Sequence, residues 1–261
     1  SVISKALITL DCTEEVIQEA IDMKCQLVIS HHPIIFSGLK KLTGKNYVER
    51  TIIKAIKNDI AIYAIHTNLD NVSDGVNQMM AEKLGLKNGR VLSPKKNILK
   101  KLVTYIPIDH YENMRMAIFE VGAGHIGNYS HCGFSVSGFG SFKGNEHANP
   151  TLGNANELMR VEEQRFETIF PDYLEARVIR SLKESHPYEE VAYDIYAMEN
   201  EHAQVGSGLI GELENEMELS DFLNLVKNQF HLKSLKYTSL NRKVRKIALC
   251  GGSGSFLRFQ A

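Results

Sequence analysis

The chain has 261 residues, 43% of them hydrophobic and 23% charged, with a formal net charge of −1. That length suits one large domain or two smaller ones, and the balance is ordinary for a water-exposed globular protein. No apolar run approaches a membrane span, and no basic surplus points to nucleic acid, which argues against both as partners.

Ser1-Val2-Ile3-Ser4-Lys5 leads straight into a strand, Ala6-Leu7-Ile8-Thr9-Leu10, with no signal-peptide pattern. Asp11 or Thr13 can cap the helix that follows, and Glu14 and Glu15 suit its positive N-terminus. Val16, Ile17, Ala20 and Ile21 give that helix one apolar face. Leu27-Val28-Ile29-Ser30 then runs into His31-His32-Pro33. A short apolar run broken by proline reads as a buried strand, because Pro33 has no N–H for a ladder. Phe36 to Lys41 forms a loop in which Lys40 and Lys41 either hold an anionic substrate or are simply solvated. Val48, Ile52, Ala55 and Ile56 mark a second helix. Ile60 to Ile65 is a second buried strand, ending at His66-Thr67-Asn68-Leu69-Asp70. Asn68 can position a substrate or shape the turn. Asp74-Gly75 is a turn signal, and Val76, Met79, Met80 and Leu84 make a third helix closed by Gly85. The strand–helix alternation predicts an α/β segment over residues 1–98, with a mostly parallel sheet core flanked by helices.

In open α/β sheets, ligands bind beyond the carboxyl ends of the strands, where His31, His32, His66 and Asp70 all fall. Imidazole and carboxylate together suit zinc, manganese, iron, cobalt or nickel. Neighbouring side chains on an extended chain point to opposite sides, so one ion would struggle to use both His31 and His32. Two ions about 3.5–4 Å apart, a common hydrolytic arrangement, can take one each. The competing reading is a set of hydrogen-bonded structural histidines, and for His66 alone it is the simpler one.

Over residues 99–199 the rhythm changes. Leu102 to Ile106 is a strand closed by Pro107, followed by a helix with Met114, Ala117, Ile118 and Val121 inward, then Gly122 to Tyr129 and a strand from Cys132 to Val136. The order recurs: Phe166 to Phe170 closed by Pro171, a helix with Leu174, Val178 and Leu182, then His186 to Glu190 and a strand from Val191 to Tyr196. Two strand–helix–strand units predict an inserted ferredoxin-like α+β domain. Ser137 to Leu158, rich in glycine, asparagine and serine, reads as a long loop. His125, His186 and Glu190 form either a second metal or substrate site or, more simply, turn and interface residues. Residues 200–261 return to the core. Val205 to Gly211 is a glycine-punctuated strand, Ser220 caps a helix bearing Phe222, Leu223, Val226 and Phe230, and Val244 to Cys250 is a strand. Gly251 to Leu257 is a turn that can bind an anion or simply reverse the chain. Cys12, Cys25, Cys132 and Cys250 lack metal-ligand spacing and read as free thiols of a reducing compartment, hence a cytoplasmic location.

Ser30-His31-His32-Pro33, His66-Thr67-Asn68-Leu69-Asp70 and Cys250-Gly251-Gly252-Ser253-Gly254-Ser255 resemble the Nif-three-like family, whose bacterial members often carry the name GTP cyclohydrolase 1 type 2 homologues. Gly122 to Tyr129 and His186 to Tyr193 resemble the inserted PII/CutA-like domain of its longer members. The resemblance implies a toroidal homohexamer with two divalent metal ions, zinc, iron or manganese. It makes His31, His32 and Asp70 metal ligands and puts His66 beside them as an acid–base or orienting residue. The family pattern continues with a further histidine and a bridging glutamate, and only residues 258–261 follow the glycine turn here. The expected activity is metal-dependent hydrolysis of a nucleotide or other small molecule. The alternative is a metal-binding regulatory scaffold in which the insert senses a ligand without turnover.

Overall fold

A computed structural model describes residues 2–238, 242–252 and 254–257. Ser1, Ser253 of the glycine turn and residues 258–261 lie outside the described residues. The chain forms a mixed α/β fold in two compact units, one of residues 1–92 with 207–261, the other of residues 93–206.

In the first unit β1 (Ala6–Thr9), β2 (Leu27–Ser30) and β3 (Ala61–Ala64) form a parallel sheet in that order. Helix α1 (Glu14–Asp22) starts at Thr13, whose hydroxyl accepts the Val16 N–H at 3.3 Å. Asp11 is therefore free for another task. Ile17, Ala20, Val28, Ala55 and Ile60 bury together between the sheet and its helices. A fully buried aliphatic side chain contributes about 1.5–3 kcal/mol and a cap about 1 kcal/mol, so Ile17 anchors α1 more than Thr13 does. Helices α1 and α2 (Tyr47–Lys57) cover one face of this sheet. On the other face Ile8 is 78% exposed and Tyr63 51%.

Two further helices follow β3: α3 (Thr67–Asn71) and α4 (Val76–Lys83). The parallel expectation holds for β1, β2 and β3, while the other sheets contain antiparallel pairs. Strand β4 (Lys87–Lys95), which its polar sequence hid, joins β9 (His202–Glu218) and β10 (Lys243–Leu249) in a second sheet of order β10-β9-β4. There β9 and β10 run antiparallel around Leu92, Ile210 and Leu257. Helix α7 (Leu219–Gln229) begins after Glu218, so Ser220 lies inside it instead of capping it.

The second unit orders β5 (Leu99–Pro107), α5 (Tyr111–Glu120), β6 (Gly133–Phe142), β7 (Met159–Pro171), α6 (Glu175–Ser185) and β8 (Tyr193–Met198). Its sheet is fully antiparallel in the order β6-β7-β5-β8. Pro107 and Pro171 each end a strand and open a short 3-10 turn into a helix, as the repeated pattern anticipates. Leu102, Ile106, Met114, Ile118, Phe166, Phe170, Val178 and Leu182 fill the space beneath both helices. The long loop predicted from Ser137 is shorter, because β6 runs on to Phe142 and pairs it with Met159.

Helix α2 shows how one carboxylate orders a loop. Asn46 Oδ1 accepts the Glu49 N–H at 2.9 Å, and Glu49 in return accepts from Thr43 N–H at 2.6 Å, the Thr43 hydroxyl at 2.7 Å and Asn46 Nδ2 at 2.9 Å. These donors, the Thr43 hydroxyl foremost, pull the Glu49 carboxyl from its ordinary 4.5 down to about 2. A folded value below the unfolded one stabilises the fold above pH 4.5, and that share fades as pH falls towards 2. Glu49→Gln is expected to lose stability at pH 6 and to converge with the parent protein near pH 2. Urea unfolding across that range checks it, and a difference independent of pH would contradict it.

Candidate metal centre

The backbone positions the histidines before their side chains enter. The parallel ladder does not stop where β1, β2 and β3 formally end. His31 N–H donates to Thr9 O at 3.1 Å, His32 N–H to Leu10 O at 3.0 Å, and His66 N–H to His31 O at 2.9 Å. Buried Ser30 adds its hydroxyl to His32 O at 2.9 Å. Three imidazoles are thereby held at adjacent strand ends. Ring centroids lie 4.9 Å apart for His31 and His32, 6.0 Å for His31 and His66, and 6.4 Å for His32 and His66.

His66 sits at φ +40°, ψ −133° as the residue before α3. A non-glycine residue held at positive φ costs about 1–3 kcal/mol, and such strain gathers at functional sites. The Phe36 ring stands edge-on to His66 at 6.5 Å, the first loop residue seen to touch the cluster.

Asp11 is the participant that the sequence hid. Its Oδ1 lies 2.8 Å from His32 Nδ1, with both side chains about half exposed. An Nδ1–H donated to a carboxylate fixes the ring and leaves Nε2 as the free electron pair, the usual support for a metal-binding histidine. Asp11 had a competing assignment as a helix cap, and only the pairing of β1 with β2 brings it to His32.

Asp70 lies four residues beyond His66, one helical turn along α3. Its backbone carbonyl accepts Asn77 Nδ2 at 2.7 Å, while Asn77 Oδ1 accepts Gly251 N–H at 2.8 Å. Asn77 is buried and stitches α3 to the glycine turn. A Cβ on Gly251 would stand 3.5 Å from Asp70 Oδ1 and 3.1 Å from Val76 Cγ1, so glycine lets the turn approach closely. Burial, and then the Asp70 carboxylate, push the neighbouring Cys250 thiol up, which keeps it protonated and a poor ligand.

The structure thus gathers His31, His32 and His66 and places Asp70 against the 250–252 turn. In kind these donors fit a divalent ion: imidazoles, one already oriented by a carboxylate, with a further carboxylate on the next helix. Among the described residues, however, no three or more His, Cys, Asp or Glu side chains stand together as a finished ligand set. Lys40 and Lys41 lie on an exposed loop, and Asn68 turns the chain by donating its N–H to Ile65 O. His125 is exposed and contacts Gly122 O. Both ring nitrogens of His186 are committed, Nε2 to Tyr105 O and Nδ1 to the Tyr188 N–H, which leaves a buried turn residue and no ligand.

Comparison with known proteins identifies relatives along the whole chain. The family model Duf34/NIF3 (NGG1p interacting factor 3) matches residues 1–261. A Bacillus subtilis protein named GTP cyclohydrolase 1 type 2 homolog is 45% identical over 255 residues, which is 97% of this chain and 68% of that protein. The crystal structure of a Bacillus cereus protein related to NIF3 superposes with a TM-score of 0.84 at 45% identity, covering 100% of this chain and 70% of that one. A Staphylococcus aureus structure gives a TM-score of 0.66 at 32% identity, covering 100% of this chain and 68% of that one.

Gly75 sets the position of α3. A Cβ there would fall 1.8 Å from Leu69 O, on the backbone just before Asp70. Gly75→Ala is expected to cost about 1–3 kcal/mol in chemical denaturation. Gly38→Ala, where nothing lies within 4 Å, is expected to leave stability unchanged. Equal effects would contradict this account of α3.

Proposed function

The chain belongs to the Duf34/NIF3 family, and from that premise we propose that it is a dinuclear metal-binding protein, a metal-dependent hydrolase of the GTP cyclohydrolase 1 type 2 kind. The observation that carries the reading is the convergence of three strand-end imidazoles, with Asp11 fixing His32. His31, His32 and Asp70 would hold the divalent ions, zinc, iron or manganese. Such ions, when bound, lower the pKa of a coordinated water and polarise the bond that it attacks.

The chain's own residues supply the rest. Asp11 orients His32, and the ladder bonds hold His31 and His32 on their strand end. His66, pinned by its strained backbone, would move a proton at a ring nitrogen beside the bound ions. The resemblance further proposes a toroidal homohexamer and a cytoplasmic location. The four cysteines, all free thiols, support the location. No helix among the described residues is long and apolar enough to cross a membrane.

A second reading makes the protein a metal-binding regulator whose second unit is a PII/CutA-like ligand sensor. The antiparallel β-α-β-β-α-β order of residues 93–206, with a cavity of about 690 Å³, supports it.

Calorimetric titration with Zn²⁺ or Mn²⁺ tests the metal assignment. His31→Ala is expected to abolish tight binding and Asp11→Ala to weaken it about 10–100-fold. His66→Ala is expected to keep the metal but to lower turnover of GTP or a simple phosphoester about 100-fold or more. Unchanged affinity in His31→Ala would remove the metal assignment, and metal binding without any turnover would favour the regulator.

A further inference from the structure

The cavity of the second unit is built around a carboxylate that the metal reading does not use. Glu163 on β7 is only 7% exposed, yet it lines this space of about 690 Å³, a volume typical of small-ligand sites. Its Oε1 accepts the Tyr188 hydroxyl at 3.0 Å. A carboxylate offers about four acceptor positions, so one phenol leaves most of its capacity unused. Among the described residues no lysine or arginine nitrogen comes within 4 Å of it. Arg165, also on the cavity wall, pairs with Glu167 at 2.8 Å. Lys143, Glu189 and Glu190 also line the cavity and are exposed.

The sheet register explains how the carboxylate reaches the cavity. Glu163 pairs with Gly138 of β6, which makes Gly140 its diagonal neighbour on the same face. A Cβ on Gly140 would lie 2.0 Å from Glu163 Oε2. Glycine inside a strand weakens it and marks a close approach, and here it clears the path of the carboxylate. Phe142, two residues on and on that same face, meets the Tyr188 ring at 6.0 Å and 57°. His186 backs Tyr188 at 4.9 Å. Burial, and then Glu163, hold the Tyr188 phenol protonated, and burial holds His186 neutral, so neither neighbour neutralises Glu163.

A negative group deep in a partly aromatic cavity calls for a positive occupant. We propose that this cavity binds a small organic ammonium ion, its charged nitrogen on Glu163 and its apolar body against the Phe142–Tyr188 ring pair. The aromatic faces add cation–π attraction. The site belongs to the second unit alone and stands whether or not the first unit holds metal.

The test uses phenethylamine as the probe, titrated calorimetrically into the full chain. Phenethyl alcohol and phenylacetate are its neutral and negative counterparts. The amine is expected to bind saturably, the alcohol about tenfold or more weaker, as befits one lost charge-assisted hydrogen bond, and the acid not at all. Glu163→Gln is expected to weaken the amine by a similar factor, while Tyr188→Phe, which frees a carboxylate lone pair, is expected to retain it. The amine, alcohol and acid series on the unaltered protein decides the matter even if Glu163→Gln misfolds. Absence of saturable amine binding at millimolar concentration, alcohol binding equal to the amine, or an unaffected folded Glu163→Gln would each overturn the proposal.

Discussion

The candidate centre depends on a backbone ladder that outlasts its strands. β1, β2 and β3 are four residues each, yet the hydrogen bonds from His31, His32 and His66 carry the parallel pairing beyond them. Backbone amides buried at a sheet end must find partners. Here the partners are carbonyls of neighbouring strands, so the requirement that satisfies the amides also sets the imidazole positions. The side chains then need little further guidance: one carboxylate for His32 and one strained turn for His66.

Asp70 is positioned by another route. Helix α3 holds it, and buried Asn77 ties its carbonyl to the amide of Gly251 far along the chain. The last strand and its glycine turn therefore fix the position of Asp70, whereas the first three strands fix the imidazoles. Close backbone approach is the common requirement, and glycine meets it at positions 75 and 251.

Much of this was legible in the sequence, and the failures have physical causes. Apolar runs ending in histidine located β2 and β3, because a buried parallel strand needs a continuous apolar run. The proline-closed strands of the second unit were legible because proline halts a ladder. Strand β4 was missed because Lys87 to Lys95 is mostly polar and largely exposed, with none of the period-two signal of a half-buried strand. The extension of β6 was hidden by its glycines, which read as loop although Gly140 serves a buried carboxylate. Asp11 was ambiguous because a cap and a histidine partner use the same side chain, and strand pairing alone decides between them. Helix α3 is five residues long, below the length at which periodicity speaks.

X-ray absorption at the zinc edge of the zinc-loaded chain tests the central claim most directly. The account predicts a nitrogen and oxygen shell at about 2.0–2.2 Å with outer-shell scattering from at least two imidazoles. A sulfur shell near 2.3 Å, or a spectrum without imidazole scattering, would contradict it, because the metal would then be held by a thiol such as Cys250 or at some other place.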